Sequence, residues 1–154
     1  MSPTRSQQLV ATLLADPKLR EQANACSHLM NLPQLLQRHG LLQTVLFLHR
    51  KSAGVGDDAT KAAPAQYGAL LTLLDSGVKA SLGEKVAPTL TGPVKNVAAA
   101  LASLELPILL ASTDAAIETA GWLRQLYLAE KKVAETAAAL AAPDPKEEPD
   151  HAAR

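Results

Sequence analysis

Aromatic side chains are nearly missing: one Trp, one Phe and two Tyr in 154 residues, or 3% of the chain. With 47% apolar residues a core is still within reach, but it must be built from Leu, Val and Ala. Ala and Leu are strong helix formers, while the aromatic residues that favour strands are scarce. Cysteine occurs once, at Cys26, which excludes an internal disulfide and a cysteine zinc site. A lone thiol fits a reducing cytoplasm. No run approaches the roughly 20 apolar residues of a membrane span. Gln7, Gln8 and Asp16 interrupt any apolar core at the N-terminus, so no signal peptide is read there. A cytoplasmic protein that makes no membrane contact is expected. Net charge is also lacking, at zero overall, so the chain as a whole is not a strongly basic nucleic-acid binder.

Catalytic patterns are missing too. The histidines are His28, His39, His49 and His151, and none lies three or four residues from another. No helix face therefore presents a paired metal ligand, and the histidines read as solvated surface. Gly54-Val55-Gly56-Asp57-Asp58 resembles a phosphate loop only superficially. No strand precedes it, and the third glycine and the lysine are absent. Asp57 and Asp58 have no neighbours to complete a cation site. The expectation is a non-enzyme with no catalytic residue, metal or cofactor.

What is present is helical periodicity. Leu9, Leu13 and Val10, Leu14 form adjoining stripes over residues 4–15. Asp16-Pro17 reads as a cap followed by a first-turn proline, with Leu19, Ala23, Cys26 and Met30 following at helical spacing. Asn31-Leu32-Pro33 repeats that pattern and opens a short helix closed at His39-Gly40. The next helix runs from about Leu41 to Lys51. A loop is expected over 52–64, then a helix over about 65–82 with Leu70, Leu71 and Leu74 inward. Gly83, Pro88, Gly92 and Pro93 mark a second loop. A helix over about 94–104 follows, and Pro107 opens a last one from about 108 to 141. On it Trp122, Leu126, Ala129, Val133, Ala137 and Leu140 form a stripe, with Ala116, Ala120, Leu123 and Tyr127 beside it. From Pro143 the chain alternates proline with charge and should be disordered. The expected architecture is all-α: one bundle of about six or seven helices over 1–142, with a disordered acidic tail over 143–154.

Charge is unevenly distributed. Residues 1–52 hold Arg5, Lys18, Arg20, Arg38, Arg50 and Lys51 against Asp16 and Glu21, a net of +4. The tail from Pro143 is net −2. Arg38 and His39 end one predicted helix, and His49, Arg50 and Lys51 end the next. Two readings stand at this point: cations that complement helix C-termini, or a patch that neutralises phosphates without reading sequence. So few aromatics leave little for bases to stack on, so recognition of single bases is not expected. Trp122 reads as core, or as an anchor at a protein interface.

The stretch Asn31 to Ser52, NLPQLLQRHGLLQTVLFLHRKS, resembles the small subunit of type III-B (Cmr) CRISPR effector complexes. Leu32-Pro33 matches that family's opening, Gly40-Leu41 its turn, Gln43 and Phe47-Leu48 its helix, and Lys51-Ser52 the helix end. Tyr67-Gly68 is similar to the start of the next helix. Thr113 to Leu126, with Trp122, Leu123 and Arg124, resembles the family's C-terminal helix. The matched blocks cover roughly a quarter of the chain. Gln125-Leu126-Tyr127 departs from the basic residue and Phe expected there, the N-terminal helix carries no match, and the tail looks like an extension.

The resemblance implies a non-catalytic subunit that stacks with other copies of itself in an inner filament. Its implied partners are RAMP-type backbone subunits, the large subunit, guide RNA and target RNA. Cleavage chemistry would belong to those other subunits. On that implication, and on clustering, Arg38, Arg50 and Lys51, with Arg20 in support, are expected to face the target strand. The competing readings are a Csm-type (III-A) small subunit and a helical adaptor unrelated to RNA.

Overall fold

The computed structural model describes residues 2–54 and 63–141. They form α1 (Arg5–Leu14), α2 (Pro17–Asn24), α3 (Leu32–Ser52), α4 (Ala63–Leu82), α5 (Val94–Ala102) and α6 (Leu106–Ala141). Among the described residues there is no strand, and the all-α expectation holds. The central residues of the loop expected over 52–64, including Asp57 and Asp58, and the tail from Pro143 lie outside the described residues.

Two helix starts, those of α1 and α2, follow local capping rules. Thr4 caps α1: its hydroxyl accepts from the Gln7 amide at 3.2 Å, and the Gln7 side chain accepts from the Thr4 amide at 2.7 Å. This reciprocal pair satisfies two N–H groups that a helix start leaves open. Asp16 caps α2 as expected, accepting from the Leu19 amide at 3.1 Å ahead of Pro17. Asn31 differs from expectation. Its side chain makes no capping bond, and its backbone sits at φ −104°, ψ 8° rather than in the extended region. The reason lies upstream. The connection from α2 is wound by short-range bonds, including Leu29 N–H to Cys26 C=O and Leu32 N–H to Leu29 C=O. That winding holds Asn31 away from the extended backbone a side-chain cap requires.

Within α3, Gly40 has φ 80° and ψ 173°, so two helical segments meet there at a break. Only glycine adopts that backbone readily. The break falls where glycine was expected to close a helix, although the ψ angle is extended rather than left-handed helical.

The chain divides into two compact units, Met1–Arg124 and Gln125–Arg154. The first unit thus ends inside α6. Its centre is α4, against which α1, α2 and α3 all pack. Tyr67, Ala69, Leu70, Leu71, Leu73, Leu74 and Val78 are all buried, so α4 is covered on nearly every side. Leu9 and Leu13 of α1, Leu36, Leu41, Val45 and Leu48 of α3, Leu101 of α5, and Ala115, Ala116, Ala120 and Leu123 of α6 are buried with them. Gly77 lets α4 approach α6: a Cβ there would lie 2.3 Å from the Thr119 side chain. In the second unit, residues 125–141 are helical, and all but Leu126 and Tyr127 are exposed. The outer part of the predicted stripe is therefore open to solvent, with Val133 at 69% and Leu140 at 83%.

Candidate nucleic-acid interface

The second segment of α3 brings the site together. Its spacing of four residues sets Gln43, Phe47 and Lys51 along one ridge, with Arg50 next to it. Leu48, Val45 and Leu41 face inward and fix the helix, so the ridge faces out. Phe47 is half-buried, and its ring meets His28 edge-on, with centroids 5.1 Å apart and planes at 70°. Tyr67 lies 6.3 Å from Phe47 at 89°, and its hydroxyl hydrogen-bonds to His28 Nδ1. The three rings come from the α2–α3 connection, α3 and α4, so the cluster ties three parts of the chain together. Two of the four aromatic side chains in the sequence meet here, a concentration that composition alone does not reveal.

Two cations lie against the Phe47 ring. The Arg50 guanidinium carbon is 5.7 Å from its centroid and the Lys51 ammonium nitrogen 5.9 Å. At these distances the ring's quadrupole attracts both charges. The cations therefore share a platform and still reach solvent, Arg50 being exposed and Lys51 half-buried. Beside the ring, Leu35, His39, Gln43, Thr44 and Phe47 line a half-open cavity of about 320 Å³. Arg38 is exposed on α3, before the Gly40 break, next to His39. Arg20 does not join this group. It faces inward from α2 with Ala23, three residues on, and is only 8% exposed. A guanidinium so covered presents little surface to a phosphate, whereas Arg38 and Arg50 are exposed and Lys51 is half-buried.

His49 departs from the solvated role expected of it. The Leu90 carbonyl can only accept, so His49 Nε2 donates to it, at 2.7 Å. The Leu90 amide in turn donates to the Asp75 carboxylate at 2.8 Å, and Asp75 pairs with Lys79 at 3.1 Å. Leu90, fully buried, is held from both sides, which anchors the basic end of α3 to the α4–α5 loop. His28 is likewise committed to Tyr67, whereas His39 is exposed. Among the described residues no three His, Cys, Asp or Glu side chains gather as a metal site would require. No helix there is long and apolar enough to cross a membrane. Trp122 is half-exposed and lines a groove with Leu14, Val10 and Ala11 of α1, so it is not a fully buried core residue.

A family model for CRISPR-associated proteins, Cas_Cmr5, matches residues 8–130. The chain belongs to the Cas_Cmr5 family. As a Cas_Cmr5 protein it is a subunit of a type III-B Cmr effector complex, alongside other Cas subunits. The match takes in the N-terminal helix, where no resemblance had been legible, and ends within α6. It decides for the type III-B family over the Csm-type alternative. No curated protein and no solved structure matches the chain.

Proposed function

We propose that this Cas_Cmr5 chain is the non-catalytic small subunit of the effector. It forms the inner filament beside the guide–target duplex and supports target-RNA binding in cytoplasmic antiviral defence. Its partners are further copies of itself, the RAMP-type backbone subunits, the large subunit and the two RNAs. The observation that carries the RNA role is the pair Arg50 and Lys51 on the Phe47 ring, at the anchored end of α3. Cations held on a rigid element lose less freedom on meeting a phosphate than cations on a mobile loop. Arg38, itself exposed, adds a third charge along the same helix.

Such contacts release counterions, so affinity falls steeply with salt, with a log–log slope of about −0.7 per phosphate contact on a single strand. The double variant R50E/K51E in the assembled complex should weaken target binding at low salt and flatten that slope by about 1.4. An unchanged affinity would overturn the RNA-facing assignment. Affinity purification of the tagged protein from its host in gentle salt tests the wider reading. RAMP-type subunits and a short guide RNA of uniform length should accompany it. An unrelated protein partner without RNA would instead leave the adaptor reading.

A further inference from the structure

The phosphate-facing role leaves the cavity beside Phe47 unused. At about 320 Å³ it falls at the small end of the range of roughly 300–1,000 Å³ in which proteins hold small ligands. Leu35 and the Phe47 ring give it apolar walls. His39 and Gln43 supply polar tips at its rim, both exposed. The Thr44 hydroxyl spends its proton on the Leu35 carbonyl at 3.2 Å and so faces the cavity as an acceptor. The ring is held in place by its edge-on contacts with His28 and Tyr67. An open apolar pocket walled on one side by an aromatic ring, with a few polar tips and two cations on that same ring, suits a nucleotide unit, whose base can stack on the ring and whose phosphate is anionic.

We propose that this cavity is a base pocket that takes one unstacked nucleobase of the strand whose phosphates Arg50 and Lys51 hold. The inference rests on the RNA-binding reading above and adds to it a contact that is not electrostatic. The base lies against Phe47, and its edge meets the Gln43 amide, which offers both donor and acceptor. His39 closes the open side. A pocket of this kind discriminates weakly among bases, because every base has a face to stack and Gln43 can pair with either kind of edge group. The scarcity of aromatics argued against single-base recognition. One well-placed ring is enough for one base.

Trypsin cuts after Arg38 and Arg50, so His39, Gln43, Thr44 and Phe47 share a single tryptic peptide. The test uses the native assembly carrying the full chain and a target RNA substituted with 4-thiouridine, irradiated, digested and mapped by mass spectrometry. A nucleotide adduct is expected on that peptide, at Phe47 or Gln43. The variants F47L and Q43A should each lose most of the adduct. F47L should also weaken RNA binding about fivefold or more, with the salt slope unchanged, because a stacked base displaces no counterions. Suppose RNA binds, the slope still responds to R50E/K51E, no adduct forms on the peptide and F47L behaves as wild type. The base pocket is then refuted and the phosphate role survives. If R50E/K51E also leaves binding unchanged, both readings fall together.

Discussion

Replacing Asp75 with alanine should destabilise the protein more than any surface charge substitution on it. Asp75 is 7% exposed, and one carboxylate oxygen accepts from the Leu90 amide at 2.8 Å. Leu90 is fully buried, so removing the carboxylate strands a buried N–H, at a cost of about 1–3 kcal/mol, nearer the upper end for a bond to a charged group. The other oxygen pairs with Lys79 at 3.1 Å, where side-chain exposures of 28% and 10% leave room for screening, so that pair adds at most about 1 kcal/mol. The total is about 2–4 kcal/mol, or a fall in Tm of about 10 °C for a chain of this length. Urea unfolding followed by helical circular dichroism measures it. D75N keeps an oxygen for Leu90 and should lose about 1 kcal/mol. K79M removes only the ion pair and should lose less than about 1 kcal/mol. If D75A cost no more than K79M, the Leu90 amide would not depend on Asp75 and the clip across the α4–α5 loop would be wrongly described.

G77A should cost about 1–3 kcal/mol or more, because its Cβ would lie 2.3 Å from the buried Thr119 side chain. T119A should recover part of that loss, as a double-mutant cycle in urea would show, although the Thr119 Cβ itself lies only 2.8 Å away. G40A should cost about 1–3 kcal/mol through backbone strain alone, since nothing lies within 4 Å of the added methyl. It should also speed amide exchange around the α3 break. D16A should lose about 1 kcal/mol by freeing the Leu19 amide, read from the same unfolding curves.

Features decided within a few residues were legible in the sequence. Asp16-Pro17 opens α2, Gly40 breaks α3, and the Leu spacing identifies the inward faces of α1, α3 and α4, because capping, backbone freedom and helical period act over one or two turns. Asn31 shows the limit of that logic: a cap residue in the right place fails when the preceding turn sets its backbone. The candidate site was legible only in its charges. Arg50 and Lys51 stand at a helix end and were found there, but the ring they share with His28 and Tyr67 depends on contacts between residues 19 to 39 apart in the chain. The clip from His49 through Leu90 to Asp75 is equally a product of tertiary packing. The burial of Arg20 was not legible for the opposite reason: composition registers its charge, whereas packing against the bundle sets its exposure.

The solitary cysteine has a practical consequence for anyone studying the assembled particle. Cys26 is 4% exposed, and a thiol so covered reacts slowly with alkylating dyes, which need both access and the thiolate form. A cysteine introduced at an open position such as Glu135 or Ala137 would therefore take a maleimide label almost alone, with Cys26 left in place. The interior need not be altered to clear the background. Fluorescence or spin labels placed in this way could report distances between neighbouring subunits while the particle loads and releases its target.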